Sequence, residues 1–244
     1  MHPNIENKVA VITGGSRGIG FRIAEALVDN GAKVLIGART AADVQSATAA
    51  LNRPGSSARA IGETVDVREY RQVERFMARA EKEFGGIDIL VNNAGIGLFS
   101  SVEEMKPEEW DAVIQTNLSG VFYCIRAAVG SMKRRGGGYI FNISSLAGKN
   151  AFAGGAAYNA SKSGLNCFSE AVMLDLRYHN IRVSYIMPGS VETDFARSRR
   201  AQPPPSSWKI DAKDVAQVVV DLLKSETRTM LSRVEMRPSK PPRK

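Results

Sequence analysis

The sequence predicts an α/β fold, a doubly wound parallel sheet of about seven strands with helices on both faces. Two observations predict it. Short apolar runs alternate with amphipathic stretches through nearly all of the 244 residues, and strands that alternate with helices form a mainly parallel sheet. The glycine-rich and polar motifs also follow the ends of predicted strands, where such sheets bind their ligands.

The alternation contains seven apolar runs and six helical stretches. The predicted strands cover residues 8–13, 33–38, 58–67, 87–92, 139–144, 181–187 and 229–237. The predicted helices cover residues 18–30, 41–51, 68–84, 107–134, 155–179 and 212–224. Thr40 and Asp211 each precede a helix with an aspartate three residues later, which is the spacing of a helix cap. Pro107 suits a first helical position.

A glycine-rich turn joins the first predicted strand to the first predicted helix. It reads Thr13-Gly14-Gly15-Ser16-Arg17-Gly18-Ile19-Gly20. Backbone N–H groups and the helix dipole at such a turn can hold a pyrophosphate, and glycine is needed where a β-carbon would keep the phosphate away. A tight turn without a ligand would use the same residues, but its place between strand and helix favours nucleotide binding.

The composition limits the remaining possibilities. Without a linker, a repeat or a low-complexity run, residues 1–237 are predicted to form one domain, followed by a basic, proline-rich tail at 238–244. We expect a cytoplasmic chain, because no apolar stretch is long enough to span a membrane and the N-terminus is too polar for a signal peptide. Cys124 and Cys167 lie in apolar helical runs and are expected to be reduced core residues.

Metal and nucleic-acid binding are not expected. His2 and His179 have no cysteine or carboxylate at ligand spacing. The net charge of +8 comes from basic residues that are spread along the chain and are clustered only at its C-terminal end. That end is expected to be a solvated terminus, because no zinc-finger spacing or aromatic RNA-binding signature accompanies it.

Four polar residues in the second half of the chain are candidates for catalysis. Tyr158 and Lys162 lie four residues apart and so share a helical face, where an ammonium group would lower the phenol's pKa from about 10. Ser145 ends a predicted strand, where its hydroxyl can point into the crevice. Asn117 lies in mid-helix, either as a buried amide that needs partners or as a solvent-facing residue.

These motifs occur together, in order, over residues 8–194. They are Thr13-Gly14-x-x-x-Gly18-Ile19-Gly20, Asp66-Val67, Asn92-Asn93-Ala94-Gly95, Asn117, Ser145, Tyr158-x-x-x-Lys162 and Pro188-Gly189-x-Val191-x-Thr193. The chain therefore resembles the short-chain dehydrogenase/reductase family in its single-domain, Rossmann-like branch, including 3-oxoacyl reductases. It departs from the family at the C-terminus, where many members have a glycine pair and this chain runs from Met230 to Arg237 into the basic tail.

The resemblance implies a reaction and a set of roles. Tyr158 would protonate a carbonyl oxygen, Ser145 would hydrogen-bond that oxygen, Lys162 would lower the Tyr158 pKa and bind the nicotinamide ribose, and Asn117 would hold a relay water. Asp66 would bind adenine, or else cap a strand end. The implied cofactor-binding residues are Thr13, Gly14, Ser16, Arg17, Gly18, Ile19, Gly20, Arg39, Asp66, Val67, Asn92, Ala94, Gly95, Tyr158, Lys162, Pro188, Gly189, Val191 and Thr193.

The second predicted strand indicates the cofactor. An NAD site presents an acidic residue to the ribose 2′-hydroxyl, whereas an arginine accommodates a 2′-phosphate. Ala38 stands at the acidic position, Arg39 follows it, and Arg17 lies within reach. Although a lone arginine is usually only solvated, this pair favours NADP(H). The expected function is therefore an NADP(H)-dependent oxidoreductase acting on a carbonyl or alcohol; the rival is a non-catalytic dinucleotide sensor or scaffold.

The sequence gives less information about the substrate and about the oligomeric state. The predicted pocket lining contains the large apolar residues Leu98, Phe99, Phe152, Phe195 and Trp208, which favour an uncharged hydrophobic substrate. Arg197, Arg199 and Arg200 would either receive an acidic carrier or form a solvated loop, and residues 202–207 are expected to be a mobile lid or hinge region. Helices 110–134 and 155–179 carry more apolar surface than one sheet can cover, which predicts a homodimer, or a homotetramer if the divergent C-terminus allows it.

Overall fold

The computed structural model describes residues 4–53, 59–193 and 208–242. The strands are β1 (Val9–Thr13), β2 (Lys33–Ala38), β3 (Ala60–Thr64), β4 (Ile89–Asn92), β5 (Gly138–Ile143), β6 (Ile181–Pro188) and β7 (Arg233–Met236). The helices are α1 (Gly18–Asp29), α2 (Ala41–Leu51), α3 (Tyr70–Phe84), α4 (Pro107–Ile114), α5 (Gly120–Arg134), α6 (Ala156–Leu176) and α7 (Ala212–Lys224).

All seven strands pair in parallel, in the order β3-β2-β1-β4-β5-β6-β7. This confirms the predicted doubly wound sheet. The chain adds β2 and β3 on one side of β1 and then returns to place β4 on the other side. The strand order thus reverses beside β1, and ligands bind at such a switch point beyond the carboxyl ends of the strands.

Two hydrophobic layers cover the two faces of the sheet. Ala10 and Ile12 of β1 point into the layer formed with α1, α2 and α7. Val9 and Val11 point into the opposite layer, with α3, α5 and α6. This alternation of side chains along a strand explains why central strands read as continuous apolar runs.

Several local predictions need correction. The predicted helix 107–134 is divided by a π-helical turn at Gln115–Ser119, and the predicted last strand is shortened to β7. Cys124 is buried as expected, but Cys167 is exposed and is therefore not a core residue. Thr40 precedes α2 without a capping bond from its side chain, whereas Asp211 accepts a bond from the Lys213 backbone.

The described part of the chain contains no helix that is both long and apolar enough to cross a membrane. Phe195, Arg197, Arg199, Arg200 and the predicted lid at 202–207 lie outside the described residues.

Candidate active site

The glycine-rich turn has the shape that a phosphate-binding loop requires. Gly14 and Gly18 adopt left-handed backbone angles, with φ of 63° and 56°, which only glycine adopts without strain. At Gly20, a β-carbon would lie 2.3 Å from the Gly14 carbonyl oxygen, so a side chain there would force α1 away from the turn. The backbone therefore remains open for a pyrophosphate at the start of α1.

Thr13 and Asn93 hold this turn against the loop that follows β4. The Thr13 Oγ1 accepts hydrogen bonds from the backbone nitrogens of Asn93 and Ala94, each at 3.1 Å. The Asn93 side chain donates to the carbonyl oxygens of Thr13, at 3.1 Å, and Gly14, at 2.9 Å. Thr13 is buried, so its hydroxyl shapes the turn from within. Sequence reasoning placed Asn93 in a motif but gave it no role.

Asn117 lies in the π-helical turn and is completely buried, so the solvent-facing alternative is wrong. Its Oδ1 accepts from the Ile96 nitrogen at 2.8 Å, and its Nδ2 donates to the Ile96 oxygen at 2.9 Å and to Ser161 Oγ at 3.1 Å. A π-helical turn inside a helix often marks a functional position. Here it accompanies an amide that joins the loop after β4 to α6.

Lys162, in the second turn of α6, is buried, and the one described hydrogen bond of its side chain runs from Nζ to the carbonyl oxygen of Ile143 at 2.8 Å. Ile143 ends β5, so the ammonium group lies at the carboxyl edge of the sheet. Burial disfavours its charged form and lowers the pKa of Lys162 to about 8. A β-carbon on Gly95 would lie 3.8 Å from this Nζ, an ordinary contact, and 3.3 Å from Asn117 Oδ1, a tight one, so Gly95 lies close to both polar groups.

Tyr158 lies one helical turn before Lys162, and its hydroxyl is hydrogen-bonded to Ser145. The expected direction of its pKa shift is wrong. Burial raises the pKa of Tyr158, and the hydrogen bond with Ser145 offsets that only in part. The Lys162 Nζ is 5.8 Å from the centre of the phenol ring and bonds to Ile143 instead, so desolvation outweighs its attraction for a phenolate.

Ser145 begins a loop that bends back over α6. Its Oγ accepts from the Ala147 nitrogen at 3.1 Å. Asn159 holds the same loop, because its Nδ2 donates to the Ala147 oxygen at 2.6 Å and its Oδ1 accepts from the Phe152 nitrogen at 3.4 Å. Sequence reasoning missed Asn159, although its position directly after Tyr158 was a signal.

The expected adenine and ribose contacts lie at the carboxyl ends of β2 and β3. Arg39 is exposed after β2, and Arg17 is exposed at the start of α1. Asp66 forms an ion pair with Arg68, whose nitrogens donate to the carboxylate at 2.5 to 3.0 Å. The Arg68 side chain is the main cause that lowers the pKa of Asp66, with a smaller attraction from Arg39. The carboxylate is thus fixed at the strand end as an anion.

The other residues that were expected to bind the cofactor differ in their positions. Val67 and Asn92 are buried, and Asn92 Nδ2 donates to Asn142 Oδ1 at 2.8 Å, so both side chains support the site from below. Gly189 donates its N–H to the Met236 oxygen at 2.8 Å. Thr193 Cγ2 would lie 3.5 Å from a β-carbon on Gly18, which places Thr193 beside the glycine-rich turn.

A family model described as short chain dehydrogenase matches residues 8–204. The chain belongs to this family. The match includes the glycine-rich turn, Asn117, Ser145, Tyr158 and Lys162, so every side chain of the described cluster lies within the family region.

Curated members of the family resemble the chain over most of its length. It is 38% identical over 195 residues to a 3-oxoacyl-[acyl-carrier-protein] reductase of Escherichia coli, covering 80% of this chain and 78% of that protein. It is 36% identical over 191 residues to a 3alpha-hydroxysteroid dehydrogenase of Mediterraneibacter gnavus, covering 78% and 76%.

Two solved structures of the family match nearly the whole chain. A metagenomic short-chain oxidoreductase in complex with NADP has a TM-score of 0.84 and 36% identity, covering 98% of this chain and all of that one. An alcohol dehydrogenase of the archaeon Thermococcus sibiricus, complexed with 5-hydroxy-NADP, has a TM-score of 0.88 and 29% identity, covering 97% and 99%.

Proposed function

We propose that the chain is an NADP(H)-dependent oxidoreductase that transfers a hydride between the nicotinamide and a carbonyl or alcohol substrate. The observation that carries the proposal is the cluster at the carboxyl edge of the sheet. There Ser145 bonds Tyr158, Lys162 is buried one turn further along α6, and Asn117 links α6 to the loop after β4. A hydride donor, when bound, supplies the electron pair.

The chain's own residues then supply the proton and stabilise the developing negative charge. In the direction of reduction, Tyr158 donates its phenolic proton to the carbonyl oxygen as that oxygen gains negative charge. Ser145, already within hydrogen-bond reach of the phenol, orients the same oxygen. The raised pKa of Tyr158 keeps the phenol protonated near neutral pH, which suits it to act as the acid.

NADP(H) is favoured over NAD(H) by charge at the end of β2. Arg17 is exposed at the start of α1 and Arg39 is exposed after β2, and Ala38 supplies no carboxylate to a ribose 2′-hydroxyl. Arginine binds a phosphate through two parallel hydrogen bonds. The open glycine-rich turn and these two exposed cations fit the group, and two structural neighbours were solved with NADP or 5-hydroxy-NADP.

A homodimer is the assembly we propose. Phe122 of α5 and Phe168 of α6 form an edge-on ring pair with centres 6.3 Å apart, and Phe122 remains 45% exposed. A second copy could cover this face with a two-fold interface. Light scattering over a dilution series tests it: we expect a dimer that Phe122→Glu dissociates, whereas a monomeric wild type at micromolar concentration would contradict it.

The proposed activity is tested by screening ketones, aldehydes and 3-oxoacyl thioesters for oxidation of NADPH. We expect at least one class to be reduced, with NADPH used in preference to NADH. A chain that binds NADPH tightly but reduces none of them, and oxidises none of the corresponding alcohols, would contradict the proposal and favour a dinucleotide sensor.

A further inference from the structure

Two phenylalanine rings lie beside the candidate acid Tyr158, and we call the group of Phe99, Phe152 and Tyr158 the aromatic cleft. The Phe99 ring lies 5.6 Å from the Tyr158 ring in an edge-on arrangement, and 5.7 Å from the tilted Phe152 ring. These separations are in the range where aromatic rings attract one another beyond simple burial of area. The two phenylalanine rings therefore border the Tyr158 phenol on the side of the loops that carry Phe99 and Phe152.

The two loops that carry Phe99 and Phe152 are held together by their backbones. The Ser100 nitrogen donates to the Gly154 oxygen at 3.0 Å, and the Phe152 nitrogen donates to Asn159 Oδ1. A β-carbon on Gly155 would lie 2.6 Å from the Phe152 ring, so the absence of a side chain there lets the ring settle on the start of α6. Contacts within the chain thus hold the two rings in place, and such preorganisation reduces the ordering cost of binding.

Phe99 and Phe152 each remain 47% exposed, although both rings pack against their neighbours in the aromatic cleft. A substrate whose carbonyl oxygen reaches the Tyr158 hydroxyl would place its neighbouring group against these rings. We propose, on the basis of the proposed function, that Phe99 and Phe152 determine specificity and select carbonyl compounds that carry a flat, uncharged aromatic ring. A flat aromatic ring can stack or pack edge-on against them and gain the attraction between π-systems, whereas a puckered saturated ring of similar size gains only the burial of its apolar area.

The test compares two ketones that differ mainly in the ring, acetophenone and methyl cyclohexyl ketone. Their kcat/KM values with NADPH are measured for wild type, Phe99→Leu and Phe152→Leu, which keep an apolar side chain but lose the ring. The aryl-to-cyclohexyl ratio of each variant is compared with that of wild type, so that the intrinsic reactivity of the ketones cancels. Tyr178→Leu, an exposed aromatic position after α6, is the matched control.

We expect each leucine variant to lower this ratio about twofold to tenfold, through the KM of the aryl ketone, with unchanged NADPH affinity. The control should leave the ratio unchanged. If both ketones are reduced and neither variant alters the ratio, the specificity role is overturned while the proposed function stands.

A calorimetric titration of both ketones into the chain separates the two proposals if no turnover is found. Preferential binding of acetophenone by wild type, lost in Phe152→Leu, would support the cleft even if the proposed activity fails. Equal binding of the two ketones, unaffected by the substitution, would overturn the cleft.

Discussion

Two charged side chains are buried at opposite edges of the sheet, Asp88 at the amino ends of the strands and Lys162 at their carboxyl ends, and their surroundings differ. Asp88, just before β4, accepts the Val9 backbone N–H at 2.8 Å and two nitrogens of Arg135, the closest contact being 2.8 Å. Lys8 adds a longer ion pair at 3.8 Å. Lys162, at the carboxyl edge, is equally buried, and its described hydrogen bond goes to one neutral carbonyl oxygen.

We interpret this difference as a separation between a region that stabilises the fold and a region that serves the proposed chemistry. A buried carboxylate with cationic and backbone partners recovers much of its desolvation cost and ties two segments together. A buried ammonium without a described anionic partner keeps that cost, and its pKa falls to about 8. Strongly perturbed groups of this kind concentrate at functional sites. We therefore expect substitutions at the two edges to have separable effects.

The largest effect is expected at Tyr158. Tyr158→Phe keeps the ring and removes the proton, so turnover of a confirmed carbonyl substrate should fall by roughly 10²- to 10⁴-fold. NADPH affinity, measured by fluorescence titration, should change little, because the ring remains in place. A variant that retains most of its turnover would refute the acid role.

Substitution of Asp88, at the opposite edge of the sheet, should lower stability and leave turnover nearly unchanged. Asp88→Asn removes the charge that Arg135 faces, and we expect the free energy of unfolding to fall by about 2–3 kcal/mol, below the full value for a buried pair because Arg135 reaches solvent. Urea denaturation measures this. Turnover per folded molecule should remain near the wild-type value, and a large loss of kcat with unchanged stability would undermine the contrast between the edges.

A smaller effect is expected for the cofactor preference. Arg39→Ala should weaken NADPH binding by about 1.5 kcal/mol, the lower end for a hydrogen bond to a charged group because the site is exposed. NADH affinity should hardly change, since NADH has no 2′-phosphate. Titration of both cofactors into wild type and variant measures the margin, and equal affinities in the wild type would contradict the assignment.

The pH dependence should show the smallest change. The pKa of Lys162 is lowered from 10.5 to about 8, so the residue is cationic below that pH and loses its charge above it. Carbonyl reduction should therefore decline severalfold as the pH rises past about 8, while the raised pKa of Tyr158 keeps the acid protonated. Lys162→Arg remains charged at these pH values, and its residual activity should lack this decline; an identical decline would assign it to another group.

The sequence predicted the sheet well because its central strands are buried on both sides and read as apolar runs between turn residues. It could not predict the π-helical turn at Asn117, because the periodicity of residues 107–134 is continuous and the interruption depends on tertiary partners such as Ile96 and Ser161. The direction of the Tyr158 pKa was also missed. Spacing along a helix shows that Lys162 is near, but it does not show how deeply both groups are buried.

We propose that the burial of Lys162 serves function at the expense of stability, and Lys162→Met tests this with two measurements on one protein. We expect turnover to fall at least about 100-fold and NADPH affinity to decrease. The free energy of unfolding should stay within about 1 kcal/mol of wild type or rise, because the buried charge is gone. Unchanged turnover together with a loss of stability as large as that of Asp88→Asn would contradict it.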